Sequence, residues 1–320
     1  MNTKNLTILG VLLMAVLLIG GYFYLNANDN EAKQKLIGIG TFSQAIDYGP
    51  LYIARHFGWI EKALEAEGDY RVEYRELGGF DEINYGLSND RLHMFFSAEA
   101  PLIKLVSDGN KIKIAGIGCT LQQDVLVSNK AHIDSIEQLK GKQVAVAEGT
   151  SSHYGLLNIL KSKGLTIDDI TLRPGFPGEI APLFERNEVD AWAVWPPFVE
   201  QQVVKGNGKS LVGGNAKIQS VVSFHKSVLN TPKLKAALIG AIERAKEWMR
   251  NNPDEAKGII AQHLGMKSDI IQLAWPKHNW GATLDDTVLE DIEAKSAFLK
   301  KVGVILPSNP VPSLDELIDK

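Results

Sequence analysis

The stretch Gln143–Leu157, QVAVAEGTSSHYGLL, passes from a short apolar run to a helical pattern across Glu148–Ser152. Val144, Ala145, Val146 and Ala147 are continuously apolar, as a strand is when both of its faces are buried. Gly149 frees the chain to turn. Thr150, Ser151 and Ser152 then bring three hydroxyls to the start of a helix, where the first backbone N–H groups have no intrahelical acceptor. One such residue suffices as an N-cap. Three in succession exceed that need, and together with the positive end of the helix dipole they read as an oxyanion site.

The same alternation extends in both directions. Apolar runs at Leu36–Gly40, Arg71–Leu77, His93–Phe96, Lys111–Ile117, Ile170–Arg173 and Ala191–Trp195 read as strands. Between them, Gly49–Glu67, Asp81–Ser88, Ala100–Ser107, Ser152–Lys163 and Glu179–Arg186 read as helices. Strands alternating with helices predict parallel α/β sheets. Two further strands, Gln123–Ser128 and Gln219–Phe224, lack that helical partner and read as crossings between two lobes. Everything after Thr231 is helical. The expected organisation is a first lobe of residues 36–122 and 223–320, a second lobe of 123–222, and a helical C-terminal tail packed on the first.

The composition excludes several classes. Of 320 residues, 45% are hydrophobic and 22% charged, ordinary globular values. With 34 basic and 38 acidic side chains the net charge is −4, so no basic excess drives nucleic-acid binding. The single cysteine, Cys119, makes neither an internal disulfide nor a zinc cluster. No pair of histidines has zinc-helix spacing, and no phosphate-binding glycine loop or nucleophile elbow occurs. No catalytic residue, metal site or cofactor is expected. The uncharged run Leu6–Leu25 is long enough, as a helix of about 30 Å, to span a bilayer. Residues 1–27 therefore read as a membrane anchor or a cleaved signal, with the rest exported to the periplasm or extracellular face.

Further candidates sit where strands meet helices, the place where open α/β sheets hold ligands. In Gly40–Pro50, GTFSQAIDYGP, these are Phe42, Ser43 and Tyr48. After His93–Phe96 come Ser97, a possible donor to an anion, and Glu99, which either meets a ligand cation or favours the helix N-terminus beside it. In Val189–Phe198, VDAWAVWPPF, Trp195 ends a strand and reads as pocket wall. Trp192, at an offset of three, faces the other way and reads as core. The cluster His278-Asn279-Trp280 reads as helix-end packing.

PLYIARHFGWIE (Pro50–Glu61), IEQLKGKQVAVAEGTSSHYGLL (Ile136–Leu157) and VDAWAVWPPF together resemble the periplasmic substrate-binding proteins of ABC importers, in the branch for taurine, aliphatic sulfonates and nitrate. The resemblance runs from about Leu36 to Leu317. It implies a two-lobed, type II periplasmic-binding fold that closes on its ligand by a hinge. It also implies that Thr150, Ser151 and Ser152, with His153, hold a sulfonate and that Trp195 lines the pocket. The implied partners are a small-molecule anion or zwitterion and an ABC permease in the membrane, with the binding protein a monomer. Glu99 departs from the small residues common at its place in the family and suggests a ligand amine. The alternatives are a membrane-tethered ligand-sensing ectodomain and a thiamine-precursor-type binding protein of the same fold. Enzymes on this fold rely on a cysteine or histidine in the first lobe or cleft, and no cysteine occupies Gly40–Pro50.

Overall fold

Two long strands, β4 (Ile112–Ser128) and β8 (Gly208–His225), run the length of the molecule in the computed structural model, which describes residues 34–42 and 45–319, without the side chains of 212–215. The apolar run Leu6–Leu25 and Ser43 lie outside the described residues. Among the described residues no helix is long and apolar enough to cross a membrane.

β4 and β8 pair antiparallel from Ile112↔His225 to Ser128↔Gly208. On one side of their first half lie β3 (Met94–Ala98), β1 (Lys35–Phe42) and β2 (Tyr70–Leu77), in the order β2-β1-β3-β8. On the other side of their second half lie β7 (Ala191–Ala193), β5 (Gln143–Val146) and β6 (Thr171–Pro174), in the order β4-β7-β5-β6. β1 pairs parallel with β2 and β3, and β5 with β6 and β7, as expected of strand–helix alternation. The crossing strands are longer than the sequence predicts. Lys111–Ile117 and Gln123–Ser128 are one strand, and the Gln219–Phe224 strand begins at Gly208. The ladder is interrupted between Gln122↔Lys217 and Asp124↔Val212, where β8 carries the extra residues of a bulge. The return crossing therefore precedes Lys217, and Val222, expected to close the second lobe, pairs instead with Phe96 in the first half.

Helices cover both faces of each half. In the first half, α1 (Gly49–His56) and α2 (Trp59–Glu65) lie on one face, and α3 (Phe80–Ser88) and α4 (Glu99–Ser107) on the other. The single helix expected over 49–67 is broken at Gly58, whose φ of 62° is a left-handed value that glycine adopts freely. In the second half, α5 (Ser151–Ser162) covers one face, and α6 (Pro177–Glu185) and α7 (Phe198–Val204) the other. After α8 (Lys226–Leu229) come α9 (Pro232–Asn251), α10 (Pro253–Leu264) and α11 (Ser268–Ala274). The short strand β9 (His278–Asn279) pairs with β4, and α12 (Asp286–Lys301) and α13 (Leu314–Leu317) close the chain.

The tail belongs mainly to the first half, as expected. α9 packs on α1 and α2, and α12 on α4. It also reaches the second half, because α11 packs on α7 and α12 touches α5. Buried ion pairs fasten both contacts. Lys277 bonds Asp124 and Glu200 of the second half, each at 2.7 Å. Lys295 of α12 pairs with Glu99 and with Asp291, and donates to the Lys217 carbonyl of β8 at 2.9 Å. Burial alone would lower Lys295, but the two carboxylates outweigh it and hold the ammonium above its usual range.

Gly38 lies where β1 passes the turn before β3, and a Cβ there would sit 1.9 Å from the Arg91 carbonyl oxygen. Gly38→Ala should cost about 3 kcal/mol in urea unfolding, since backbone must move. Gly240→Ala, exposed in α9 with nothing within 4 Å of the added Cβ, should instead stabilise by up to about 1 kcal/mol. Equal effects at the two glycines would refute the close approach.

Candidate functional site

A cavity of about 490 Å³ lies between the two halves, a volume suited to a small ligand. Its walls come from the carboxyl ends of the parallel strands. Phe42 ends β1, with Asp47 and Tyr48 just beyond it; Glu76, Leu77 and Gly78 lie at the end of β2; and Ala98 ends β3, with Pro101 beyond it. Across from them, Thr150–Ser152 follow β5, Phe176–Gly178 follow β6, and Trp195, Pro197 and Phe198 follow β7. Leu121 and Ile218 of the crossing strands and Met266 of the tail complete it.

The turn into α5 is built as the sequence implies. Gly149 has φ 70°, and a Cβ there would meet Val304 Cγ2 at 2.1 Å, so both conformation and space require glycine. Thr150 is the cap: its hydroxyl donates to the Ala147 carbonyl at 2.6 Å and accepts from His153 N–H at 3.3 Å. That leaves Ser151 and Ser152. Both are buried, both line the cavity, and neither hydroxyl has a hydrogen-bond partner among the described residues. Buried polar atoms are rarely left so, and two orphaned hydroxyls beside a helix N-terminus suit an anion. Gln123 on β4 fixes this turn by donating to the Ser152 carbonyl at 2.9 Å, and Gly155 makes room for its side chain.

The aromatic candidates meet here too. Trp195 lines the cavity edge-on to Phe198, at 5.8 Å between centroids, while Trp192 is buried among Phe184 and Phe198. Phe42 lines the cavity against Phe80. Tyr48 presents its ring, but its hydroxyl is committed to the Phe42 carbonyl at 2.9 Å.

Three candidates stand apart from the cavity wall. Glu99 is fully buried, paired with Lys295, and accepts from Gln219 N–H at 2.9 Å. Burial pushes its carboxyl up against the pull of Lys295. These contacts link α12 to β8, and Glu99 is not among the residues that line the cavity. Ser97 is buried in β3, pointing away from the cleft that its neighbour Ala98 lines. His153 packs edge-on against Phe298 of α12, and its Nδ1 accepts from Gly149 N–H at 3.1 Å, so it shapes the turn from behind. Burial lowers its pKa, which keeps it neutral and an acceptor. Cys119 is buried, and burial pushes its thiol well up, leaving it unreactive.

Asp47 was not legible as a site residue. A lone aspartate before a helix reads as ordinary turn chemistry. In the structure it is buried in a 3₁₀ turn (Ile46–Tyr48) and lines the cavity. Burial raises its carboxyl to about 6, against hydrogen bonding from Ser220. Met266, Phe176 and Gln201 were also missed; they come from separate elements and share no local pattern.

Known proteins share the fold. A protein of Bacillus subtilis strain 168 named as an aliphatic sulfonates-binding protein is 28% identical over 272 residues, covering 82% of this chain and 80% of its own length. The crystal structure of the periplasmic aliphatic sulphonate-binding protein SsuA from Escherichia coli superposes with a TM-score of 0.76 at 17% identity, covering 90% of this chain and 98% of the other. The periplasmic nitrate-binding protein NrtA of Synechocystis PCC 6803 gives 0.63 at 18% identity, over 89% and 84% of the two chains. The fold is thus that of the two-lobed periplasmic binding proteins. The chain belongs to the NMT1/THI5-like family, whose profile matches residues 96–256.

Asp47 makes the ligand-free protein sensitive to pH. Its folded-state pKa of about 6 lies above the ordinary 3.8, so the folded form takes up the proton first as pH falls. Above that range the buried carboxylate costs stability, to a limit of about 3 kcal/mol. Ligand-free Asp47→Asn should melt higher than wild type at pH 8, with the gap closing as pH falls through 6 towards 4. A gap that does not change with pH would show that Asp47 is not ionised in the cleft.

Proposed function

We propose that this chain is the extracytoplasmic solute-binding component of an ABC importer, which captures a small oxyanion of the sulfonate class between its lobes and delivers it to the membrane permease. The observation that carries this reading is the pair of orphaned hydroxyls, Ser151 and Ser152, at the N-terminus of α5 inside the cavity. An oxyanion there receives two hydroxyl donors, the first free backbone N–H groups of α5 and the positive end of its dipole. No fixed positive charge is needed.

The aromatic walls supply the rest of the affinity. Phe42, Tyr48, Trp195 and Phe198 offer apolar surface to a short carbon chain. Because these walls belong to both halves, a bound solute favours their approach over their separation, and the closed form is what a permease distinguishes from the empty one. The names of the relatives support the sulfonate class, and binding without turnover agrees with a cleft whose nearest thiol, Cys119, is buried and protonated.

Thermal melts against taurine, short alkanesulfonates, nitrate and short carboxylates test the proposal. A ligand at about 100 times its Kd should add about 2.7 kcal/mol, seen as a rise in Tm. Ser151→Ala with Ser152→Ala should weaken a binding sulfonate by about tenfold or more while leaving the ligand-free Tm nearly unchanged. No rise with any of these anions, or full affinity in the double variant, would overturn the oxyanion reading.

A further inference from the structure

Four carboxylates are buried among the described residues: Asp47, Glu99, Asp124 and Glu200. Glu99 has Lys295, and Asp124 and Glu200 share Lys277. Asp47 has no cation within reach among the described residues. The third buried lysine-bearing site gives it no help, because Lys246 is held by the carbonyls of Ile117 and Ala282 and by Glu243. A buried carboxylate without a cation is costly unless something else brings the charge.

The cavity wall itself does not supply a cation to Asp47. The described wall holds two carboxylates, Asp47 and Glu76, and no lysine, arginine or histidine. A simple anion entering this space meets a favourable helix terminus and an unfavourable field from the opposite wall. A molecule carrying both charges meets favourable groups at both ends.

We propose that Asp47 is the specificity-determining residue of the cleft, receiving the protonated amine of a zwitterionic ligand whose oxyanion lies at Ser151 and Ser152. This rests on the oxyanion reading above and narrows it to amino-oxyanions. Asp47 takes over the role that the sequence suggested for Glu99. Phe42, Tyr48 and Trp195 lie along the same cavity, and their ring faces add attraction for an ammonium group. The groups facing Asp47 are Ser220 of β8, Glu99 of α4, Cys119 of β4, and Tyr48 and Tyr52 at the start of α1. None of these brings a positive charge, and with the carboxyl raised only to about 6, Asp47 is ionised at neutral pH.

Matched ligands of nearly equal shape test this directly. Calorimetry compares 2-aminoethanesulfonate with 1-propanesulfonate, and 3-aminopropanoate with butanoate, on wild type and on Asp47→Asn. Wild type should bind the amine of at least one pair about tenfold or more tighter than its methyl counterpart, and Asp47→Asn should erase that preference. Below about pH 6 the amine's advantage should fade while the methyl counterpart is unaffected. The wild-type comparison needs no variant, so a failure of Asp47→Asn to fold does not remove the test. Equal binding within both pairs, or a preference that survives in Asp47→Asn, overturns the role of Asp47 and leaves the oxyanion reading standing. No binding of any of the four overturns both. Amine preference in the carboxylate pair alone upholds Asp47 and removes the sulfonate.

Discussion

The ladder between β4 and β8 is the constraint from which the rest of the molecule follows. Each half of the sheet hangs on one end of it, and the cavity forms where the ladder is interrupted between Gln122↔Lys217 and Asp124↔Val212. Regular pairing along the whole length would give one rigid sheet. A bulge in β8 relaxes the pairing at the midpoint, where two bodies have to change their angle. Around that point the structure adds polar braces. Thr120 bonds Gln219, Gln219 bonds Asp291, and Lys295 bonds the Lys217 carbonyl, so α12 grips the crossing strands from outside.

The sequence displays the part of this that is local. The strand–helix periodicity located every parallel strand among the described residues, and EGTSSH located the turn into α5 together with its glycine and cap. The offset between Trp192 and Trp195 separated core from wall. What the sequence hid was pairing at a distance. Glu99 looked available because its partner, Lys295, comes from the far end of the chain and is buried only once α12 docks. His153 looked like part of the anion site because it follows Ser152, yet one helical residue turns the side chain by about 100°, which takes it towards Phe298. Asp47 looked ordinary because the property that matters, burial without a cation, is defined by every other charge in the fold.

On the proposed reading, the cleft divides its work between groups of different origin. The anion end is made of neutral donors at the start of a helix, two buried hydroxyls that carry no charge to desolvate. The opposite end is made of a carboxylate that the empty protein holds at a loss. Stability surrendered at Asp47 is available as preference for a ligand that neutralises it, which is how binding sites commonly use strain in the unbound state.

Lys277 gives the opening of this cleft a distinctive character. It stands on the tail, between β9 and α11, while both of its carboxylate partners, Asp124 and Glu200, belong to the second half. Drawing the halves apart would take the ammonium from two buried carboxylates, of which Asp124 keeps the hydroxyl of Ser210 at 2.7 Å. If the halves separate there, water has to reach both carboxylates as the ammonium leaves.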